Sequence, residues 1–381
     1  MLQTMAENTT LSGYVDTSAQ WNPGNGNANN APIAFNGAGK ADGFNLNVVD
    51  IALEKPLDET PWAAGYKAEL WFGPDANTLA TQSYSSYNYA SNQADFAIRQ
   101  AYVALRTPIG NGIDWKIGVW DTILGYESTS SPNNPNFTRS YGYTIEPTTA
   151  TGFLATYKFC DNFSATAGMA DTMGPQINQR NNFGGNEQTK AYTAGFTFTA
   201  PQSWGWLAGS SMSAAMMHGW TSAAIPEPGD GPFAGEITSV YAGVTLSTPV
   251  TGLKVGGAFD YRHVDDATDL AGAEYGGDTY VYGLYASYQA TEKLSLHVRG
   301  EYMTDRASLF QDVSDLPGAP SAYKTYELTL TAQYDLWKNV ISRVEVRWDH
   351  ADNADLYGGS TFGSPNSHDA YMLAANVIYK F

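Results

Sequence analysis

The sequence predicts an all-β chain: one transmembrane antiparallel β-barrel of sixteen strands, with short periplasmic turns and long extracellular loops. Three observations carry that prediction. Apolar and polar residues alternate at period two almost continuously from residue 10 to the C-terminus, as in strands with two unlike faces. The connections between these segments are short and long in strict turn, as in a meander whose two rims differ. The last segment, YMLAANVIYKF at 371–381, places Tyr371, Tyr379 and Phe381 at its ends and Leu373, Ala375 and Val377 between them on one face. That is the profile of a lipid-facing strand crossing two membrane–water interfaces.

In order, the strands are expected at 10–21, 43–54, 63–74, 94–106, 113–125, 150–160, 163–173, 190–199, 207–220, 236–247, 252–264, 278–290, 293–305, 325–336, 339–350 and 368–381. The fourteenth is the cleanest. Tyr326, Leu328, Leu330, Ala332, Tyr334 and Leu336 share one face, and Glu327, Thr329, Thr331, Gln333 and Asp335 the other. The eighth sets Tyr192, Ala194, Phe196 and Phe198 against Thr193, Gly195, Thr197 and Thr199. In the second, FNLNVVDIALE, alternation breaks at Val48–Val49 and resumes out of phase, so a β-bulge is expected there. Short connections lie near PLDETPW, TPIGNG, CDN, APQSWG, TPVTG, TEK and LWKN. The long ones, 22–42, 75–93, 126–149, 174–189, 221–235, 265–277, 306–324 and 351–367, are rich in Gly, Asn, Pro, Ser and Asp. No helix beyond a turn or two is expected. The pattern never breaks, so residues 1–381 form one barrel domain with a short N-terminal segment, 1–9.

Residues 342–350, SRVEVRWDH, pose the question that separates this fold from a soluble sandwich. Arg343, Glu345, Arg347 and Asp349 alternate with Val344, Val346 and Trp348. A sandwich needs only about seven to nine strands per domain. Sixteen strands in one meander fit a bilayer-spanning barrel, too wide for its own side chains to fill. The charges would then face a wet lumen and the valines lipid.

Composition agrees. Charged residues are 15% of the 381, against roughly 25% in soluble domains, and the net charge is −18. Nucleic acid is not an expected partner for such a balance. The 25 tyrosines and 10 tryptophans favour membrane interfaces. No apolar run approaches the ~18 residues of a transmembrane helix, so any crossing is made by strands. Cys160 is the only cysteine, which removes intrachain disulfides and cysteine-based zinc sites and leaves it a small filler near a strand end. MLQTMAENTT has neither a basic n-region nor an apolar h-region. Either a secretion signal has been removed or the start is truncated.

The candidate pore-lining residues follow from the inward faces. Strand 15 supplies Arg343, Glu345, Arg347 and Asp349. Strand 13 supplies His297, Arg299, Glu301 and Asp305, and strand 11 Lys254, Asp260 and Arg262. Glu327 and Asp335 lie between. A ladder of mixed sign gives a transverse field that favours small hydrophilic solutes and ions; the bland reading is that such charges merely satisfy one another. Asp265, Asp266, Asp269, Glu274 and Asp278 cluster in one long loop, with Asp352 and Asp355 in another, so the mouth is acidic and a mild cation preference is expected. Neither loop has an EF-hand pattern, and no metal or other cofactor is expected.

Enzyme readings fare poorly. His263 beside Asp265 and Asp266 is the nearest approach to a hydrolytic pair, and GxSxG, HExxH and P-loop motifs are all missing. Two alternatives from other classes stay open. A sugar-selective channel would need a continuous aromatic track, for which Tyr241 and Tyr285 are the inward candidates. A surface receptor or adhesin would act through the long loops.

At 97–126, AIRQAYVALRTPIGNGIDWKIGVWDTILGY, followed by RSYGYTIEPTTATGFLATY at 139–157, the chain resembles the OmpL-like β-barrel porins of bacterial outer membranes. The resemblance implies a diffusion channel in outer-membrane lipid whose third long loop, here 126–149, folds into the barrel as a constriction. It also implies a homotrimer. General porins carry acidic residues on that loop; this one has Glu127 and Glu146 but also Arg139, which departs from a simple split of charge.

Overall fold

In the computed structural model, which describes residues 8–24, 26–82, 94–180, 189–220, 236–268, 274–306 and 321–381, sixteen antiparallel strands close into one barrel. They are β1 (Thr10–Trp21), β2 (Gly43–Lys55), β3 (Ala64–Phe72), β4 (Phe96–Thr107), β5 (Ile113–Asp121), β6 (Thr149–Cys160), β7 (Phe163–Ala170) and β8 (Ala191–Thr199). There follow β9 (Ser211–Trp220), β10 (Glu236–Ser247), β11 (Leu253–Thr268), β12 (Glu274–Gln289), β13 (Leu294–Asp305), β14 (Tyr323–Trp337), β15 (Val340–Ala351) and β16 (Asp369–Lys380). Each pairs with its neighbours in sequence, and β1 pairs with β16 from Tyr14↔Lys380 to Trp21↔Leu373. Phe381 extends the seam by exchanging both backbone hydrogen bonds with Gly13, at 3.1 and 3.0 Å. Closure leaves no open sheet edge, which hydrocarbon demands because it offers the backbone no partner.

Alternation sorts the side chains. On β15 the outward Val344 and Val346 are half exposed, whereas Arg343, Glu345, Arg347 and Asp349 point inward. The outward face is apolar from Phe44 and Leu46 on β2 to Leu373 and Val377 on β16. Towards the long-loop rim an aromatic ladder runs across strands, with Phe259–Tyr282 at 5.3 Å, Tyr302–Tyr326 at 5.1 Å and Tyr326–His350 at 6.4 Å between ring centroids. Trp62, Trp204, Trp206 and Trp337 stand exposed at the short turns. Two aromatic girdles around an aliphatic belt match a bilayer's two interfaces.

Strand ends depart from the sequence expectation mainly where the chain turns inward. β3 stops at Phe72 because Gly73 (φ 118°) leads into α1 (Pro74–Leu79), a short helix with proline in its first turn. It buries Ala76 and Leu79 against Val48, Trp71, Ala97 and Ile378 inside the barrel. β5 stops at Asp121 rather than 125, where the next connection leaves the wall. β9 begins at Ser211 rather than 207, because Gln202–Leu207 is a 3-10 segment. β11 and β12 reach further than expected, so the acidic connection 265–277 is largely two strand arms. Asp269 lies outside the described residues. The bulge expected at Val48–Val49 sits one residue earlier: Asp16 pairs with Val48 and Thr17 with Leu46, leaving Asn47 unopposed. The extra residue turns Asn47 inward, where its amide donates to Asp16 at 2.8 Å.

Gly118 marks an irregular point in β5, with φ 136° and no room for a Cβ, which would run into the Ala101 carbonyl oxygen. Gly118→Val is expected to destabilise the barrel by about 1–3 kcal/mol. The check is a lower urea midpoint for loss of the compact, heat-modifiable band in detergent.

Candidate functional site

The connection between β5 and β6, residues 122–148, enters the barrel and lies along β15. Its course follows the inward charges of that strand one after another. The Arg343 guanidinium donates to the carbonyls of Ser131 (3.2 Å) and Asn134 (2.6 Å). Glu345 accepts from the backbone N–H groups of Phe137 (2.6 Å) and Thr138 (2.9 Å). Arg347 donates to the Arg139 carbonyl at 2.7 Å, and Asp349 accepts from the Tyr141 hydroxyl at 2.8 Å. Asn136 adds a hydrogen bond to Thr331 on β14 at 2.7 Å.

β13 holds the next part of the loop. Arg299 donates to Glu127 at 2.7 Å, to the Thr138 carbonyl at 2.8 Å and to Glu327 on β14 at 3.1 Å. Glu301 accepts from the backbone N–H groups of Tyr141 (2.7 Å) and Gly142 (3.2 Å). These two donors open α2 (Tyr141–Ile145), a single turn capped by Ser140, whose hydroxyl accepts from the Tyr143 N–H at 2.9 Å. Glu127 also accepts from the Ser140 N–H at 2.8 Å, joining the two limbs of the loop. Arg139 turns away from the wall, donates to the Thr129 carbonyl at 2.9 Å and lies over the rings of Phe35 and Tyr143. Burial pushes the Tyr143 hydroxyl up to about 12.

The ladder read from the sequence as facing open water is therefore covered. Arg299 and Arg347 are 0% exposed, and Glu301, Glu327, Arg343, Glu345 and Asp349 are buried beside them. Alternation states which side of the wall a residue faces, not what stands in front of it. The other candidates lie elsewhere on the inner surface. Lys254 is exposed near the periplasmic end of β11, with no ion-pair partner among the described residues. Asp260 is buried against the loop beside Glu146. Arg262 faces inward near Asp305. His297 is half-buried and shares a hydrogen bond with Ser287 at 2.9 Å.

A second charged group was missed. Arg99 on β4 bridges Glu69 on β3 and Asp121 on β5, and Glu69 also takes Lys67 at 2.9 Å and the Gln100 amide at 2.9 Å. Lys67 and Glu69 alternate in AGYKAELWF as the β15 charges do, so the signal was present. The register shift between Glu69 and Leu70 put Arg99 out of phase and hid its membership. Lys116, exposed on β5, lies 4.9 Å from the Tyr102 ring centroid with no carboxylate partner among the described residues. Higher on the wall, Tyr126 stacks on Tyr285 at 4.1 Å, within a buried cluster that includes Trp120, Leu124, Met217 and Tyr241.

A closed sixteen-stranded barrel with an apolar belt, two aromatic girdles and a loop folded inside defines the class of bacterial outer-membrane porins. The chain belongs to the family described as "Putative beta-barrel porin-2, OmpL-like", whose model matches residues 8–381. No curated protein matches it. Among solved structures it is similar to the anion-selective porin from Comamonas acidovorans (13% identity, TM-score 0.61, covering 98% of this chain and 99% of that one). It is similar also to the outer membrane channel DcaP of Acinetobacter baumannii (14% identity, TM-score 0.61, 98% and 97%). A third is in-vitro folded OmpT of Vibrio cholerae in its trimer form (11% identity, TM-score 0.60, 98% and 99%). At these identities the likeness is one of fold.

Removing Arg299 leaves Glu127 without its cation and Glu327 with Arg347 alone, at 3.8 Å. Breaking a buried pair in this way costs about 3–5 kcal/mol. Arg299→Ala is expected to loosen the loop locally around Glu127 and Thr138 and to speed trypsin cleavage after Arg139 while the barrel stays heat-modifiable. An uncut variant would show that the other contacts hold the loop alone.

Proposed function

We propose that this protein is a general porin: a water-filled channel for passive diffusion of small hydrophilic solutes and ions, narrowed by residues 126–149 and performing no chemistry. One observation carries the reading. The loop docks on one side of the lumen and leaves inward polar residues elsewhere in contact with water. Arg299 and Arg347 under the loop are fully covered, whereas Lys116, Thr197, Lys254 and Gln289 on other strands are exposed. The proposed water path runs past these uncovered side chains. The ladder of Asp260, Arg299, Glu301, Glu327, Arg343, Glu345, Arg347 and Asp349 sets the position of the narrowing rather than its lining, while Lys254, Arg262 and His297 remain candidate lining residues.

A sugar-selective channel is less well supported. Tyr241 and Tyr285 are only 3% and 7% exposed and offer a passing sugar ring little stacking surface. The apolar outer belt supports contact with outer-membrane lipid. The trimer form of the Vibrio cholerae relative supports a homotrimer here.

The proposed ion preference is mildly cationic. Asp352 and Asp355 lie in the long connection after β15, and Asp265 and Asp278 sit on the β11–β12 arms, held by His263 at 3.2 and 2.9 Å; acids of one sign at that rim raise the local concentration of counter-ions. Lys116 and Lys254 oppose this deeper in the lumen. Planar-bilayer recording is expected to give stable steps and a reversal potential of cationic sign across a KCl gradient. The double substitution Lys116→Glu with Lys254→Glu is expected to raise the cation-to-anion permeability ratio by about twofold or more. A silent, correctly folded protein would sink the diffusion reading, and an unmoved ratio would remove these lysines from the ion path.

A further inference from the structure

The last limb of the inner loop ends on an interaction unlike the rest. Glu146, the residue that closes α2, faces Asp260 on β11, and the two carboxyls lie within hydrogen-bonding reach of one another. Every other acid named in docking the loop receives an N–H, a hydroxyl or a guanidinium. Glu146 Oε1 and Asp260 Oδ1 are both buried, and among the described residues no donor reaches either. Gly142 passes so close above Asp260 that a Cβ there would strike the carboxylate.

Among the described residues no cation is paired with either carboxyl. From the loop, Glu127 faces the pair, already bound to Arg299. From β13 comes Glu301, engaged with α2, and Arg299, engaged with Glu127 and Glu327. β11 contributes Arg262 one inward position beyond Asp260. β10 and β12 present the phenols of Tyr241 and Tyr285, and the loop that of Tyr126. Two carboxylates in contact with no donor between them cannot both ionise, so one proton must lie between them.

We propose that Glu146 and Asp260 form a proton-sharing latch that positions the C-terminal limb of the inner loop, holding it against β11 while the proton is bound and releasing it when alkali removes the proton. Burial, and next the facing Asp260 carboxyl, hold Glu146 well above the usual carboxylate range. An acid whose pKa is raised by folding stabilises the docked state only while protonated, so docking weakens as pH rises through that pKa. The direction is therefore alkaline release. The effect of this release on conductance rests on the loop being the narrowing, but the latch itself does not.

The test is amide hydrogen exchange across residues 141–148 in vesicle-reconstituted full-length protein from pH 6 to 10, normalised to the intrinsic rate at each pH. Single-channel noise is recorded on the same preparation. Wild-type protection is expected to fall by up to about tenfold per pH unit, the limit for loss of one proton, between the ordinary carboxylate range and the raised Glu146 pKa, and to level off above it. Glu146→Gln, whose amide can donate to Asp260 at any pH, is expected to keep the limb protected throughout. Glu146→Ala is expected to leave it loosened at every pH, and Asp260→Asn serves as the second locked variant if Glu146→Gln folds poorly. A flat wild-type profile, or a locked variant that reproduces the wild-type fall, would overturn the proposal. An exchange transition without any conductance would support the latch and overturn the channel reading instead.

Discussion

Irregular backbone within a membrane protein has to find partners for both its N–H and its C=O groups, and the inner loop of this barrel meets that constraint at the wall. From Ser131 to Gly142 the loop has few backbone-to-backbone hydrogen bonds of its own, so its main chain presents donors and acceptors alike. A wall of one sign could satisfy only half of them. The alternating signs of β15 and β13 satisfy both: Glu345 and Glu301 take N–H groups, while Arg343, Arg347 and Arg299 take carbonyls. The mixed-sign ladder is thus a template for a stretch of chain, and its charges are paired because the chain is there.

The same constraint acts in the other direction. Arg299, Arg343 and Arg347 are all nearly or fully removed from water, and a buried charge is tolerated only when paired and hydrogen-bonded. Each has a strand-borne partner as well as a loop-borne one: Glu327 for Arg299, Gln333 for Arg343 and Asp349 for Arg347. The wall can hold its charges in register before the loop arrives, and the loop then completes their shells. Loop and wall each supply what the other lacks. Across the lumen, Arg99 between Glu69 and Asp121 follows the same rule without a loop, by drawing on two neighbouring strands.

Most of the barrel was legible in the sequence because bilayer and lumen impose opposite chemistries on successive residues. Period two, the terminal aromatics of 371–381 and the alternation of turn lengths are direct records of that. Even the slip at Asn47 left a trace in the broken phase of FNLNVVDIALE. What hides is whatever depends on a third body. Arg347 and Lys254 both read as inward charges, yet one is sealed beneath the loop and the other is wet. Their strands carry the same pattern, and the difference comes from 122–148. α1 hid for a related reason: PDANTL is short and weakly patterned, and it is helical because Ala76 and Leu79 fill a space bounded by Trp71 and Ile378.

The distribution of these contacts also determines how the loop can move. Lifting its middle would strip partners from Arg343, Glu345, Arg347 and Arg299 together, and a single broken buried pair already costs about 3–5 kcal/mol. Wholesale undocking is therefore out of thermal reach, and a gate that swings the entire loop aside is not available to this chain. The limbs differ from the middle. Residues 122–126 lean on apolar and aromatic contacts around Trp120 and Tyr285, which can slide without exposing a charge. Residues 144–148 carry one charged side chain, Glu146, which in the proposed latch shares a proton with Asp260. Any movement of the loop has to be made at those two ends, with the ladder-bound centre as the fixed point.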